Sequence, residues 1–271
     1  MDLHQLHLFL LAVVQGVAEF LPISSSGHLL MINALWIRAG APPLADTLGV
    51  EILLHAGTLL AILAVYRRRI ALLLGEDRRV IARLIVGTLP AVVVGLPLHE
   101  IKFFHHWLES PILAGCMLPI TGMLLLWGGR QTEGATDYRQ MTYRQALLIG
   151  LAQAVAILPG ISRSGSTIVA GLAVGLRRDS AATFSFLLAI PTIAGAVVLG
   201  LKDLGPETYE PAEMVRLAGA TGVSFVVGVA ALLWLLRWLR QGRLQPLAWW
   251  CIGVGVCFTV WQIVGWAPPA R

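Results

Sequence analysis

The sequence has few charged residues. Asp, Glu, Lys and Arg make up 13% of it, whereas soluble domains carry about 25%. Apolar residues reach 57% and the mean hydropathy is +0.76, so too few charges remain to cover a water-soluble globule. No Lys or Arg precedes Arg38, so the first apolar run lacks the basic segment of a cleaved signal peptide and is expected to be retained. The composition predicts an integral membrane protein.

Cysteine is scarce as well, and the net charge of +5 is small. The three cysteines, Cys116, Cys251 and Cys257, lie in apolar runs without metal-ligand spacing, so we expect small buried side chains rather than a disulfide or a zinc site. The excess of basic residues is concentrated in short loops, which indicates membrane topology rather than nucleic-acid binding.

Six windows are long and apolar enough to cross about 30 Å of hydrocarbon as helices. They are, roughly, 47–66, 80–98, 112–128, 180–201, 213–236 and 247–266. Two other apolar stretches, 6–37 and 145–176, are interrupted by polar residues at 22–26 and 159–164. Each half is too short to span, and a polar backbone cannot face lipid. Each stretch is therefore predicted to be a re-entrant helical hairpin whose break lines a protected cavity at membrane depth.

The distribution of basic residues predicts the orientation of these hairpins. Of the 20 Lys and Arg residues, 14 lie in the loops 67–83, 129–145, 177–179 and 237–245. Cytoplasmic loops are usually the basic ones. This placement makes the second hairpin enter from the cytoplasmic side and the first from the outer side, so the two hairpins are predicted to be inverted.

An internal repeat supports this interpretation. It has an offset of 138 positions, the difference between Gln153 and Gln15, and it aligns identical residues. The first copies are Gln15, Val17, Ala18, Ile23, Ser24, Ser26 and Gly27. The sequence predicts a single all-α polytopic membrane domain over 1–271, with six transmembrane helices and two re-entrant hairpins in inverted-topology repeats, 1–128 and 145–266. Its site should lie between the repeats and combine both breaks.

The breaks have the chemistry of an anion site. A helix restarts after each break, at 27–29 and 166–168, so N–H groups and positive dipole ends point inward. The breaks also contain Ser24, Ser25, Ser26, Ser162 and Ser164. Each serine alone could be a helix cap, but five exceed what capping needs. Arg163 costs at least about 2.5 kcal/mol at membrane depth, and its fork matches a phosphate. An ion pair with Glu19 is the alternative and is compatible with that role.

Histidines add candidates for proton transfer. His28 follows the serines and is predicted to accept the proton of a nucleophile or donate one to a leaving group, although a hydrogen-bonded structural role is the alternative. Glu51 and His55, four positions apart near the outer end of a span, could also reach the cavity, but an interfacial polar pair is the favoured interpretation. The tryptophans near span ends, such as Trp249 and Trp250, are interpreted as interfacial anchors.

Two long segments carry a family resemblance. Residues 15–28 (QGVAEFLPISSSGH) and 159–167 (PGISRSGST) resemble the two motifs of the undecaprenyl-diphosphate phosphatase, or bacitracin-resistance protein, family. Residues 141–146 and 184–188 also resemble that family, so the likeness covers essentially the whole chain. It implies hydrolysis of undecaprenyl diphosphate to undecaprenyl phosphate and inorganic phosphate, which recycles the lipid carrier of cell-wall synthesis.

The resemblance also implies a context for the reaction. This context is a multi-pass protein of the bacterial inner membrane, surrounded by lipid, whose site opens to the outer, periplasmic side. A divalent cation, Mg²⁺ or Ca²⁺, is the implied cofactor, and a homodimer is consistent with the likeness.

Site roles carry over by position. The catalytic residues are Glu19, Ser25, His28 and Arg163. The phosphate-binding residues are Gln15, Ser24, Ser26, Ser162, Ser164 and Thr167. Gln15 stands where the family often has Glu, which removes a candidate metal carboxylate, so the cation would arrive on the diphosphate with Glu19 nearby. Ser25 would attack phosphorus with His28 or Glu19 taking its proton, while direct attack by His28 or by water stays open.

Two other classes compete with this interpretation. A transporter or flippase of lipid-linked phosphate explains the architecture equally well but not the nucleophile and base. The acid phosphatase superfamily shares Ser-Gly-His and Ser-Arg pieces with this chain. That superfamily also needs a His at position 169, which is Val169 here, so we reject it.

Overall fold

The computed structural model describes residues 3–42, 44, 46–101, 107–203 and 210–265. Within these ranges the chain forms ten α-helices and no β-sheet. In chain order, α1 to α10 are Leu3–Ala18, Ser25–Arg38, Thr47–Leu73, Arg78–Glu100, Pro111–Gly129, Tyr143–Val155, Arg163–Ala173, Arg178–Asp203, Pro211–Arg240 and Gln245–Val264.

The six predicted spans are confirmed as long apolar helices. Helices α3, α4, α5, α8, α9 and α10 are each long and apolar enough to cross a membrane. Their exposed side chains include Leu60, Leu89, Val93, Met123, Val215, Val226, Val260 and Ile263. Large apolar side chains on the outer surface suit a lipid surrounding rather than water. The chain is therefore a multi-pass membrane protein.

Several helices are longer than the apolar windows that predicted them. Helix α9 has 30 residues and continues through Arg237 to Arg240. Basic residues in the last turn interact favourably with the negative end of the helix dipole, so the helix extends past its apolar part.

The two interrupted stretches are broken in the structure. Helix α1 ends at Ala18 before α2 begins at Ser25, and α6 ends at Val155 before α7 begins at Arg163. These helices have 16, 14, 13 and 11 residues, so each is shorter than the roughly 20 residues that a span requires. Within each pair the two helices contact each other.

Small residues let the helices approach closely. A Cβ atom added to Gly57 of α3 would lie 2.5 Å from the carbonyl oxygen of Thr221 in α9, and one added to Gly122 of α5 would lie 2.6 Å from that of Ala248 in α10. Neither position can hold a larger residue without moving backbone. Such contacts are typical of helix packing in membranes, where van der Waals contact replaces the hydrophobic effect between helices.

The cysteines correct one expectation. Cys251 is buried, but Cys116 and Cys257 are exposed. The expectation of buried side chains was wrong for these two because an apolar side chain on a membrane helix can face lipid as readily as the protein interior. His99, His105 and His106, interpreted from the sequence as an outer-loop surface, have side chains outside the described residues.

Candidate functional site

The two breaks contact each other through their backbones. A Cβ atom on Gly27 would lie 3.0 Å from Cα of Gly160, and one on Gly165 would lie 3.2 Å from Cβ of Pro22. Gly160 has φ +91°, and a Cβ there would lie 2.3 Å from the carbonyl oxygen of Ala114. Only glycine fits this position, because both the conformation and the space exclude a side chain.

Equivalent serines cap the helices that follow the breaks. The Ser24 hydroxyl accepts a hydrogen bond from the Gly27 N–H at 3.3 Å, and the Ser162 hydroxyl accepts one from the Gly165 N–H at 3.1 Å. These bonds satisfy N–H groups that a helix start leaves free. Ser24 has φ +71° and is the only non-glycine residue with positive φ among those described. Such a conformation is costly, and it is often found at functional sites.

The buried carboxylate of Glu19 lies at the centre of the site and is surrounded by its hydrogen-bonding and charged partners. Its Oε1 accepts a hydrogen bond from Arg163 Nη2 at 2.5 Å. Its Oε2 accepts hydrogen bonds from Ser25 Oγ at 2.7 Å and Gln15 Nε2 at 3.0 Å. His55 Nε2 lies 3.6 Å from the same oxygen. A carboxylate only 6% exposed needs this set of partners, because burying an unpaired charge is very costly.

Arg163 is held at both ends of its fork. While Nη2 pairs with Glu19, Nη1 donates hydrogen bonds to Thr192 Oγ1 at 3.3 Å and to the Ala189 carbonyl oxygen at 3.5 Å, both on α8. The side chain is 19% exposed, so an anion can still reach the guanidinium. Its planar donors suit a phosphate group.

A cavity of about 360 Å³ opens in front of these groups. Its polar lining consists of Glu19, Ser24, Ser25, Ser26, His55, Ser162, Arg163, Ser164 and Thr192. Its apolar lining consists of Ala18, Ala156, Ile157, Ile161, Ile193 and Ala196. The structure therefore brings together seven of the ten residues predicted from the sequence, and they come from both breaks.

His28 does not line this cavity. Its ring is 8% exposed, its Nδ1 lies 2.8 Å from the Ser24 carbonyl oxygen, and its Nε2 accepts a hydrogen bond from Trp250 Nε1 at 3.0 Å. Both ring nitrogens are therefore occupied by groups that exchange no protons with a substrate. His28 supports the backbone of the first break, and Trp250, predicted to be an interfacial anchor, also holds His28.

Thr167 and Gln15 also lie outside the cavity. Thr167 is 1% exposed, and its hydroxyl donates to the Arg163 carbonyl oxygen at 2.8 Å and lies 2.5 Å from Ser185 Oγ. Gln15 is fully buried behind Glu19, and its Oε1 has no hydrogen-bond partner among the described residues. Both residues contact cavity residues rather than the space that a substrate would occupy.

Sequence reasoning gave His55 too small a role. Its interpretation as an interfacial partner of Glu51 does not describe its position, because His55 lines the cavity and Glu51 does not. The residue 138 positions later, Ile193, lines the same cavity, but this correspondence is visible only in the structure.

The lining combines a serine hydroxyl, a carboxylate and a guanidinium. Ser25 already donates its hydroxyl proton to Glu19, and Arg163 is beside both. The first turns of α2 and α7 meet at the cavity, and helix N-termini favour anions. This set suits a phosphate ester, with attack by a hydroxyl and charge stabilisation by the guanidinium.

Comparison with known proteins agrees with this geometry. The family model described as bacitracin resistance protein BacA matches residues 8–257. The chain belongs to the BacA family. It is 50% identical over 250 residues to an undecaprenyl-diphosphatase of Rhodopirellula baltica, an alignment that covers 91% of this chain and 94% of the relative.

Other members of the BacA family are similar over comparable lengths. An undecaprenyl-diphosphatase of Desulfatibacillum aliphaticivorans is 39% identical over 97% of this chain and 100% of its own length. Undecaprenyl-diphosphatase 3 of Bacillus cereus is 37% identical over 95% of this chain and 97% of its own length. Because both breaks lie inside the matched residues, the likeness includes the whole cavity.

The side chains of this BacA family member do not fit a protein-bound divalent cation. Among the described residues, no three His, Cys, Asp or Glu side chains are grouped so that they could hold a metal ion. Both oxygens of Glu19 are engaged by protein donors. A hard cation prefers several oxygen ligands, and the cavity supplies one carboxylate.

Proposed function

We propose that this chain removes the terminal phosphate of undecaprenyl diphosphate, giving undecaprenyl phosphate and inorganic phosphate. The reaction returns the lipid carrier to cell-wall synthesis. The single observation that carries this proposal is the contact of Ser25 and Arg163 with the two oxygens of Glu19 in one cavity. The relatives described above have the corresponding enzyme name.

The proposed architecture has two inverted repeats, 1–128 and 145–266, each beginning with a re-entrant hairpin. The contacts between the breaks support it. Gly27 lies against Gly160, and Gly165 lies against Pro22. The offset of 138 converts Gly27 into Gly165 and Pro22 into position 160, so the two contacts are copies of each other. A two-fold axis between the breaks would generate such a pair.

The proposed location is the bacterial inner membrane, with the cavity open to the outer side. On α3, cavity residue His55 lies three helical turns before Arg67, where the basic loop begins. On α8, cavity residue Thr192 lies about four helical turns after Arg178. Because basic loops mark the cytoplasmic side, the cavity belongs to the opposite half of the bilayer.

In the proposed complex the diphosphate occupies the polar part of the cavity. Arg163, the serine hydroxyls and the first turns of α2 and α7 compensate its charge. The apolar wall, which includes Ile157, Ile193 and Ala196, faces the first isoprene units, while the remaining chain stays in lipid. Only the diphosphate head group then has to move from the membrane–water interface into the cavity.

The proposed reaction has two steps. Ser25 Oγ attacks the terminal phosphorus while Glu19 Oε2 accepts its proton; the bond between that phosphorus and the bridging oxygen breaks, undecaprenyl phosphate leaves and a phosphoserine remains. Water then attacks the same phosphorus, the bond to Ser25 breaks, Glu19 returns the proton to Ser25, and both water protons leave on the inorganic phosphate. Arg163 stabilises the transferred group in both steps. Attack by His28 is disfavoured because its two ring nitrogens are engaged by Ser24 and Trp250.

The proposed divalent cation would enter as the counterion of the diphosphate. The side chains alone do not form a site for it, so no step of this mechanism depends on the metal.

The decisive experiment measures phosphate release from undecaprenyl diphosphate by the purified protein in detergent. We expect Ser25→Ala to lower the rate about 10³-fold or more, because it removes the nucleophile. The matched control is Ser26→Ala, which removes a lining hydroxyl that does not contact Glu19 and should cost less than about tenfold. Mass spectrometry of a quenched reaction should find phosphate on Ser25.

Two results would contradict the proposal. Full activity of Ser25→Ala would exclude Ser25 as the nucleophile. A wild-type protein that releases no phosphate but moves the lipid between leaflets would instead support a flippase.

A further inference from the structure

A second, smaller cavity lies at the basic end of the bundle. It has a volume of about 180 Å³ and lies between α3, α8 and α9. Its polar lining consists of Tyr66, Arg69, Asp179, Thr183 and Arg240. None of these residues belongs to the cavity around Glu19.

Tyr66 brings a buried hydroxyl to this cavity. The side chain is 5% exposed, and its hydroxyl lies beside Thr183 but forms no hydrogen bond of good geometry among the described residues. A buried hydroxyl whose hydrogen bond is poorly formed costs free energy, which a ligand with acceptor oxygens would recover. The phenol ring is fixed in place by the ring of Phe186, whose centroid lies 6.0 Å away.

Two arginines make the cavity positive. Arg69 comes from α3 and Arg240 from α9, and neither forms an ion pair with any residue in the described ranges. The guanidinium of Arg69 lies 6.0 Å from the ring centroid of Tyr138, a cation–π contact that adds no negative charge. Asp179 is the acid in the lining, and Arg177 Nε lies 3.7 Å from its carboxylate. The cavity therefore has excess positive charge.

An aromatic layer separates this cavity from the one around Glu19. Phe20 follows Glu19 directly and is fully buried, and its ring centroid lies 5.8 Å from that of Phe186. Phe186 in turn contacts Tyr66. Binding at the basic end is therefore an event distinct from binding at Glu19.

We propose that the cavity of Tyr66, Arg69 and Arg240 binds a phosphate group. Two guanidinium groups offer only hydrogen-bond donors and the phenol O–H can donate one more, which suits an anion with several acceptor oxygens. The carrier of this phosphate is either a lipid headgroup at the membrane surface or free inorganic phosphate.

The test uses the full chain in maltoside detergent. Native mass spectrometry measures binding of dioctanoyl phosphatidic acid, with dioctanoylglycerol as the same lipid without phosphate. Equilibrium dialysis measures inorganic phosphate. The variants are Arg69→Gln/Arg240→Gln and Tyr66→Phe, and the matched control is Arg79→Gln, an exposed arginine that lines neither cavity.

We expect the double variant to bind phosphatidic acid about tenfold more weakly or worse, and Tyr66→Phe to bind it severalfold more weakly. Arg79→Gln should equal the wild type, and dioctanoylglycerol should not distinguish the variants. An equal loss with inorganic phosphate identifies the free ion as a sufficient ligand. A loss with phosphatidic acid alone identifies a lipid headgroup.

Equal affinity in the wild type, the double variant and Tyr66→Phe would overturn the proposal. Tyr66→Phe keeps the ring, so it tests the site even if the double variant folds poorly. Because the cavity around Glu19 should also bind phosphate, the binding that Arg163→Ala retains is assigned to the basic end. If the basic-end cavity does not bind phosphate, the proposal of phosphate release at Ser25 still stands. If Ser25 is not the nucleophile, the proposal of phosphate binding at the basic end still stands.

Discussion

The two breaks have the same pattern of serines and capping hydrogen bonds. Ser24 and Ser162 cap their helices with the same hydrogen bond, to Gly27 and Gly165 respectively. In each break a second serine lies two residues further on, and its hydroxyl lies 3.5 Å from the capping one in the first break and 3.2 Å in the second. The residues that shape the backbone are therefore the same in both copies.

The residues that do chemistry differ between the breaks. Ser25 and Arg163 stand at the same place in the repeat, yet one is a hydroxyl and the other a cation. Both contact the same carboxylate, Glu19, at 2.7 and 2.5 Å. The position equivalent to Glu19 is Ile157, which adds only an apolar wall. Two breaks with the same capping bonds thus present different side chains, the carboxylate and the serine hydroxyl on one break and the guanidinium on the other.

Removing the charge of Glu19 should have the largest effect on phosphate release. Glu19→Gln cannot accept the Ser25 proton and leaves Arg163 without its counterion, so phosphate release should fall about 10³-fold or more. The control is Glu51→Gln, a carboxylate on α3 that does not line the cavity and should stay within about threefold of wild type. A Glu19→Gln variant with a tenth of wild-type activity would show that the carboxylate is not the proton acceptor.

Substituting Arg163, the basic residue of the second break, should have the next largest effect on activity. Arg163→Lys keeps the charge but loses the fork that pairs with Glu19 and Thr192, so activity should fall about 10²-fold. Arg144→Lys, on the exposed side of α6, is the control and should be neutral. If Arg163→Lys is fully active, a point charge suffices and the geometry of the fork is irrelevant.

Substituting the residues that support the backbone of the first break should have a smaller effect on activity. His28→Gln should lower activity about tenfold and Trp250→Phe a few fold, because both loosen the Ser24 backbone without removing a reacting group. The pH profile distinguishes this role from base catalysis, since both variants should keep the wild-type profile. Loss of one limb in His28→Gln would restore His28 as a proton acceptor. Trp249→Phe is the control, because Trp249 is a neighbouring exposed tryptophan.

The smallest expected effect concerns the divalent cation. Gln15→Glu places a second carboxylate beside Glu19, so the Mg²⁺ concentration for half-maximal activity should fall severalfold. The control is Gln153→Glu, the equivalent position of the other copy, which is also buried and should not change the Mg²⁺ dependence. An unchanged dependence in Gln15→Glu would mean that the cation binds away from Glu19.

Much of the fold could be predicted from hydropathy and charge. Long apolar windows find spans because a helix must cover a fixed thickness of hydrocarbon, and polar interruptions find breaks because lipid cannot satisfy a bare backbone. The contact between Glu19 and Arg163 could be anticipated because neither charge is tolerable alone at that depth.

The rotation of each helix about its axis could not be predicted. A helix that is apolar almost all round gives little sign of which side faces protein, so the sequence did not decide between the cavity and the interface for His55, or show that Cys116 and Cys257 face outward. His28 seemed a natural base because it follows the serines. Its bond to Trp250 joins residues 222 positions apart, which no local pattern reports.

The ion pair at the heart of the site has a consequence for biosynthesis. Glu19 and Arg163 are separated by 144 positions. A ribosome therefore delivers Glu19 to the membrane long before its basic partner exists, and until the second half arrives only groups of the first half, Gln15, Ser25 and His55, can contact the carboxylate. The site of the proposed reaction is complete only when Arg163 has been inserted.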